Sequence, residues 1–365
     1  MAALSDIWNS IQGWLFPALE EELGELSEKQ REFIRICELC ELEIHIKPYL
    51  WKYNGRRRKE RLCLLKAFIA KAVHNFSTTR ALIDYLENCP TLRRLCGWET
   101  TGDFPSESTF SRAFAEFAKG QLPQQVHEAI IKKHCSAKLV GHVSRDSTPI
   151  HGREKPVKKI KQKNIKSLNH KRGRPRKGEE RSPKPPSQLT IQLERLLEEN
   201  LNNLPTVCNV GTKLNSKGYK TSWTGYKLHL DCIDGDIPVS AILTSASLHD
   251  NQVAIPLAQM TSERITNLYD LMDSAYDAPQ IHEISRSLGH VPIIDHNKRR
   301  GPKKEMTPAQ KIRYNERSTA ERVNSNFKDN YGGNNVRVQG DTKVMAHLMF
   351  GIIALTANQI FNLLI

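Results

Sequence analysis

The sequence has too few acids to balance its bases, no second closely spaced cysteine pair, and no long apolar run free of polar side chains. Its 40 Asp and Glu face 54 Lys and Arg, a formal net charge of +14. That imbalance points to an anionic partner, nucleic acid first. The excess is local: residues 152–186 hold fourteen Lys or Arg against three Glu. The same segment is poor in apolar residues, so it cannot bury enough surface to fold alone. The eight cysteines are scattered, and only Cys37 and Cys40 form a CxxC pair. A zinc site of that kind needs a second pair, so the two read as buried small hydrophobes on a helix with Phe33 and Ile36. With no signal peptide ahead of them, the thiols point to a reducing, cytoplasmic chain. The one long apolar stretch, Val344–Ile365, would span a bilayer by length. His347, Asn358, Gln359 and Asn362 interrupt it, and no positive cluster follows. It reads as a buried core helix, with no membrane partner.

What is present divides at about residue 138. The front reads as helical. Glu28–Leu50 and Arg61–Val73 carry apolar residues at helical spacing, and Thr79–Leu86 and Thr91–Leu95 follow. Gly97 and Thr100–Pro105 break the pattern, and a capped helix starts after Pro105. That helix bears Ser108, Thr109, Ser111 and Arg112, which fits a helix-turn-helix reader of DNA; a plain helical bundle fits the same spacing. The basic run Arg56–Arg61 adds a phosphate contact. From His142 the pattern changes. His142–Ser147 is a short strand ending in Asp146. Gly225–Cys232 and Ile237–Thr244 form a hairpin through Asp234-Gly-Asp236. His249 or Asp250 caps a helix running to about Met260. Asn267–Met272 is a strand ending at Asp273, Ala278–Leu288 a helix, and Val291–Ile294 a strand ending at Asp295. An insertion at about 152–205 separates the first strand from the rest and closes with one amphipathic helix, Gln188–Leu201. The domains are therefore a helical one, 1–138, and an α/β one, 139–365.

Inside the insertion, Lys171-Arg-Gly-Arg-Pro-Arg-Lys-Gly178 resembles an AT-hook. Gly173 lets the backbone lie deep in a minor groove, Pro175 keeps it extended, and Arg172 and Arg174 reach the A·T floor, with Arg176 a further DNA contact. A basic linker gripping phosphates without sequence preference is the plainer reading.

The most informative stretch is Tyr314–Lys328, YNERSTAERVNSNFK, which reads Y-x2-R-x3-E-x6-K. On one helix, with Arg317 at zero, Tyr314 falls at about 60°, Glu321 at about 40° and Lys328 at about 20°. A carboxylate, two cations and a phenol then share one narrow face. Such a face suits a divalent metal on Glu321 with phosphates gripped by Arg317 and Lys328. The rival reading is a capping box, Ser318 to Glu321, at a helix start. Asp146 and Asp273 close two strands, and neighbouring strand ends bring them together under Glu321. Three carboxylates in one place require hard cations, Mg²⁺ or Mn²⁺. Two such ions clamp the attacking and leaving oxygens of a phosphodiester. Asp295 is the substitute for Asp273, and the hairpin acids Asp231, Asp234 and Asp236 read as turn formers. Tyr276 is placed to stack on an extruded base or to fill the core.

On these motifs the chain resembles the DDE transposases of bacterial insertion sequences, in particular the group with the Tyr-Arg-Glu-Lys signature. Asp146-Ser-Thr, the run Trp223–Leu230 with Thr244–Asp250, Asp273-Ser-Ala-Tyr-Asp277 and the signature around Glu321 carry the resemblance. It implies a ribonuclease H-like mixed sheet with flanking helices behind the helical front. It implies catalytic, metal-holding Asp146, Asp273 and Glu321, with Tyr314, Arg317 and Lys328 on the phosphates of the element's end. It implies an enzyme that cuts element ends with metal-activated water and joins the 3′-hydroxyl to target DNA, acting as a homodimer on double-stranded DNA at the nucleoid. A structure-selective nuclease on the same fold, or an inactive DNA-binding descendant, are the alternatives.

Overall fold

The computed structural model describes residues 2–47, 58–157, 186–214, 218–297 and 305–363. The AT-hook-like run with Arg172, Arg174 and Arg176, the loop 298–304 and Arg56 lie outside them. Eight helices come first: α1 (Ala2–Ser10), α2 (Phe16–Leu23), α3 (Glu28–Cys40), α4 (Arg61–Val73), α5 (Thr79–Asn88), α6 (Pro90–Leu95), α7 (Glu107–Lys119) and α8 (Leu122–His134). A capping box between Ser27 and Gln30 starts α3. It stops at Cys40, short of the expected Leu50, because Glu41 turns left-handed (φ 43°) and the chain tightens into a 3₁₀ turn, Leu42–His45. Helix α4 is apolar on nearly all sides and lies inside the bundle. Its Phe68 meets Phe110, Phe114, Phe117 and Phe350 at ring distances of 5.1–6.2 Å.

The α/β part follows as β1 (Leu139–His151), α9 (Gln188–Glu194), α10 (Leu197–Asn202), β2 (Asn209–Leu214), β3 (Lys220–Ile233), β4 (Ile237–Ser245), α11 (Asn251–Ser262), β5 (Thr266–Met272), α12 (Pro279–Ser287), β6 (Val291–Ile294), α13 (Pro308–Tyr314), α14 (Ser318–Asn330) and α15 (Asp341–Asn362). The expected single helix at the end of the insertion is two. Asn200 donates to the Gln192 carbonyl and Gln259 to that of Arg195, so side-chain amides terminate the first helix.

The sheet runs β4-β3-β1-β5-β6, with β2 added along the first part of β3. β1 and β3 are antiparallel, β1 and β5 parallel, β5 and β6 parallel. This mixed order gives the ribonuclease H-like fold. The chain passes from β5 to β6 through α12, the helical crossover a parallel pair requires. β1 is longer than expected: it runs five residues past Asp146 because β3 pairs with it as far as His151. Helices α11 and α12 cover one face, and α14 and α15 the other. α15 is long and apolar enough to cross a membrane, but 83% of its apolar window is buried inside the protein. It packs on α3, α4, α7 and α8 as well as β4, so the helical front and the sheet share one core.

Candidate active site

The β1–β5 register places the two aspartates. Ser144 pairs with Leu271 in parallel, and Asp146 and Asp273 each lie two residues further on. Equal parity puts both on one face of the sheet. β5 ends at Met272, and Asp273 turns the chain, its Oδ1 accepting from the Ala275 N–H at 2.9 Å. Burial pushes the Asp146 carboxyl up to about 6, and the Asp273 charge adds to it. Asp273 is raised too, by burial first and then by Asp250. The Arg317 and Lys213 charges work against both shifts.

The signature stretch follows one helical path rather than one regular helix. α13 passes through a 3₁₀ turn, Asn315–Arg317, into α14, and Tyr314, Asn315, Arg317 and Ser318 all keep right-handed helical dihedrals. The capping box is not formed: the Ser318 hydroxyl donates backwards to the Asn315 carbonyl. Glu321 instead accepts from Arg317 Nη2 at 2.6 Å. The Arg317 guanidinium lies over the Tyr314 ring at 5.7 Å. Burial pushes the Tyr314 phenol up to about 12, with Asp295, Asp273 and Glu321 adding to it. The turn is tied to β1 by Ser144 Oγ, which donates to the Glu316 carbonyl at 2.9 Å. Arg313 stacks over Tyr269 of β5 at 4.7 Å.

Lys213 carried no sequence signal, and Asp250 entered only as a helix cap and as the end of the Thr244–Asp250 run. Asp250 does not cap α11 with its side chain; its carboxylate accepts from Lys227 Nζ at 2.8 Å and faces Asp273. Lys213 comes from the β2–β3 arm. β3 bends at Gly225 (φ +149°), where a Cβ would meet the Ile150 carbonyl at 2.1 Å. Trp223 packs against Gly211 and donates to the Tyr226 carbonyl at 3.0 Å. The bent arm brings the Lys213 charge into range of Asp146, Asp273 and Lys328. Burial and the Lys213 charge hold the Lys328 ammonium below its ordinary value. Only periodicity along 209–214 would have disclosed the arm.

The remaining candidates have other duties. Asp231 is buried against Arg145. Asp234 accepts from the His142 N–H at 3.0 Å, and Asp236 from the Arg322 guanidinium at 2.7 Å. Asp295 accepts from the His296 N–H at 3.0 Å and lies near Tyr314. Tyr276 is 1% exposed, so its ring has no face for a base.

The donor set fits a hard divalent ion in part. Asp146 and Asp273 would offer hard oxygen donors, and a cation would relieve their mutual repulsion. Among the described residues, no group of three or more His, Cys, Asp or Glu is disposed to hold a metal ion, and Glu321 is engaged by Arg317. The buried Asp146 charge has a measurable consequence. An acid whose folded pKa is raised, here from 3.8 to about 6, favours the fold while protonated and opposes it once ionised. The contribution of Asp146 to the stability of the metal-free protein therefore falls between about pH 4 and pH 6. Asp146→Asn should raise its melting temperature by a few degrees at pH 7.5, with a gain of roughly 2 kcal/mol, and leave it unchanged at pH 4. Calorimetry in EDTA reads this directly, and an unchanged or lower value at pH 7.5 refutes a penalty on the ionised Asp146, set by burial first and by Asp273 after it.

A mixed sheet of this order, with two aspartates on one face and helix α14 packed over β1, defines a ribonuclease H-like domain. Residues 146–357 match the family described as Transposase DDE domain, and residues 21–116 match Transposase domain (DUF772). The chain belongs to the DDE transposases, of the insertion-sequence type. No curated protein and no solved structure gives a significant match. The family implies an enzyme that cleaves and joins nucleic acid, generally with divalent metal ions, and DNA as its partner.

Proposed function

We propose that the protein cuts the ends of its own insertion element and joins the freed 3′-hydroxyl to target DNA. The observation that carries this reading is the shared register of Asp146 and Asp273 on one sheet face, with Arg317 charged against both. Asp146, Asp273 and Glu321 would hold Mg²⁺ or Mn²⁺, in two ions. Bound there, the cations supply the charge that activates water and neutralises the phosphorane-like oxygens. The chain's own residues do the rest. Arg317, Lys328 and Tyr314 bind the phosphates of the element end. A phosphate on Arg317 takes the place of the Glu321 carboxylate, so that DNA binding frees Glu321 to turn toward the aspartates. The Ala275 N–H holds Asp273 Oδ1, which leaves its other oxygen for the ion.

The domain division is proposed at 138/139, with the insertion at about 152–205 as an added DNA arm through Arg172, Arg174 and Arg176. The helical unit reads the end sequence through the exposed Ser108, Ser111 and Arg112 of α7. Two ends handled together require a homodimer on DNA, in the cytoplasm at the nucleoid. Cleavage and joining on the element's own flanking ends test the proposal. Cutting without joining makes the chain a structure-selective nuclease, and binding without cutting makes it a passive DNA-binding protein.

Lys213 and Lys328 crowd two positive charges beside the aspartates, an arrangement that suits a phosphate between them. Lys213→Ala and Lys328→Ala should each weaken end binding about tenfold and reduce the salt slope by about one. Fluorescence anisotropy across a salt series checks both. An unchanged slope for Lys213→Ala removes the arm from the interface.

A further inference from the structure

One side chain on the α14 face belongs to neither the signature nor the charge pattern. Asn324 lies at about −20° from Arg317, on the same narrow stripe as Glu321 and Lys328. It is 7% exposed. Its Nδ2 donates to Asp146 Oδ2 at 3.2 Å. Its Oδ1 is buried and has no hydrogen-bond partner. A carboxylate can only accept here, so the amide must present its NH₂ to Asp146, and that leaves the carbonyl stranded. A stranded buried carbonyl costs free energy. An apolar side chain of similar shape carries no such cost, so stability alone does not account for an amide at this position. The return is found at Asp146: one oxygen tied to α14 stops the carboxylate rotating and aims its remaining lone pairs.

We propose that Asn324 is a positioning residue for Asp146, locking the β1 carboxylate to the helix that carries Glu321 and so setting the spacing of the metal ligands. The inference rests on Asp146 being a metal ligand. A hydrogen bond from outside the ligand set typically changes metal affinity tenfold or more.

The test is Mn²⁺ titration of the full-length, DNA-free protein, read by loss of the free-ion electron paramagnetic resonance signal, beside thermal melting in EDTA. Wild type is compared with Asn324→Leu, Asn324→Ala and Asp146→Ala. Asn324→Leu should melt at or above the wild-type temperature yet bind Mn²⁺ about tenfold more weakly. Asn324→Ala should show the same loss of affinity. Wild-type affinity in both variants overturns the proposal, and so does failure of both to fold, which makes Asn324 structural. If Asp146→Ala binds Mn²⁺ as wild type does, the ligand reading of Asp146 is what fails.

Discussion

Asp273→Asn and Glu321→Gln should each lower end cleavage and strand joining at least about a thousandfold while DNA affinity stays within a few-fold. A thousandfold is about 4 kcal/mol of transition-state stabilisation, within what a metal ligand supplies by placing charge on both reacting oxygens. The two variants should differ in one respect. Asp273 is half-buried beside Asp146 and depends on no rearrangement, so its loss should act equally at all DNA concentrations. Glu321 starts in an ion pair with Arg317, so Glu321→Gln should also tighten or leave unchanged the grip of Arg317 on phosphate. Assays in Mg²⁺, Mn²⁺ and EDTA, with binding measured separately, read both effects. Retained activity in Asp273→Asn would shift the assignment to another carboxylate. Asp250 is the first to test, because it faces Asp273, and Asp295 the second.

The sequence disclosed elements whose signal is local. The helix Arg61–Val73 and the strand Val291–Ile294 lie where apolar spacing placed them. So does the terminal helix, because an apolar stretch with interspersed polar residues has one solution inside a globule. What stayed hidden depends on partners distant in the chain. β1 continues past Asp146 because β3 pairs with it. Asp250 looks like a cap in sequence, yet the lysine that claims it, Lys227, lies on β3. The alternation of 209–214 is short and polar, so β2 carries little periodic signal, and with it went Lys213. Asn324 is one ordinary amide in a polar helix until the fold sets it against Asp146. The face shared by Tyr314, Arg317, Glu321 and Lys328 was legible because helical geometry alone defines it. Its partners were legible only as aspartates at strand ends, which is a statement of topology rather than of contact.

Asp231→Ala should cost about 3–5 kcal/mol of stability, the largest structural effect expected of any single exchange near the site. Arg145 and Asp231 stand opposite each other across β1 and β3, 2% and 0% exposed. Asp231 accepts from Arg145 Nε at 2.8 Å and Nη2 at 2.7 Å, and from Thr261 Oγ1 at 2.7 Å. Burial works against the Arg145 charge, and Asp231 together with Asp270 and Tyr276 outweighs it. Asp270 lies nearby; burial opposes its ionisation, but His290 and Arg145 keep it below the usual carboxylate range. Removing Asp231 leaves a buried guanidinium whose nearest substitute partner is already engaged. Urea unfolding measures the loss, and a cost under about 1 kcal/mol would show that the pair does not hold β1 to β3. The paired replacement Arg145→Met with Asp231→Leu should recover most of the stability, because a dry apolar pair needs no counter-charge. The contrast with Asp146 follows from the same electrostatics. Arg145 and Asp146 are neighbours on β1 and point to opposite faces. On one face the aspartate has its cation built into the fold, and neutralising it destabilises. On the other, Asp146 has no cation at bonding distance among the described residues, and neutralising it stabilises until a metal binds. Opposite signs for two acids on adjoining strands would separate the residues that hold the sheet together from those held ready for the reaction.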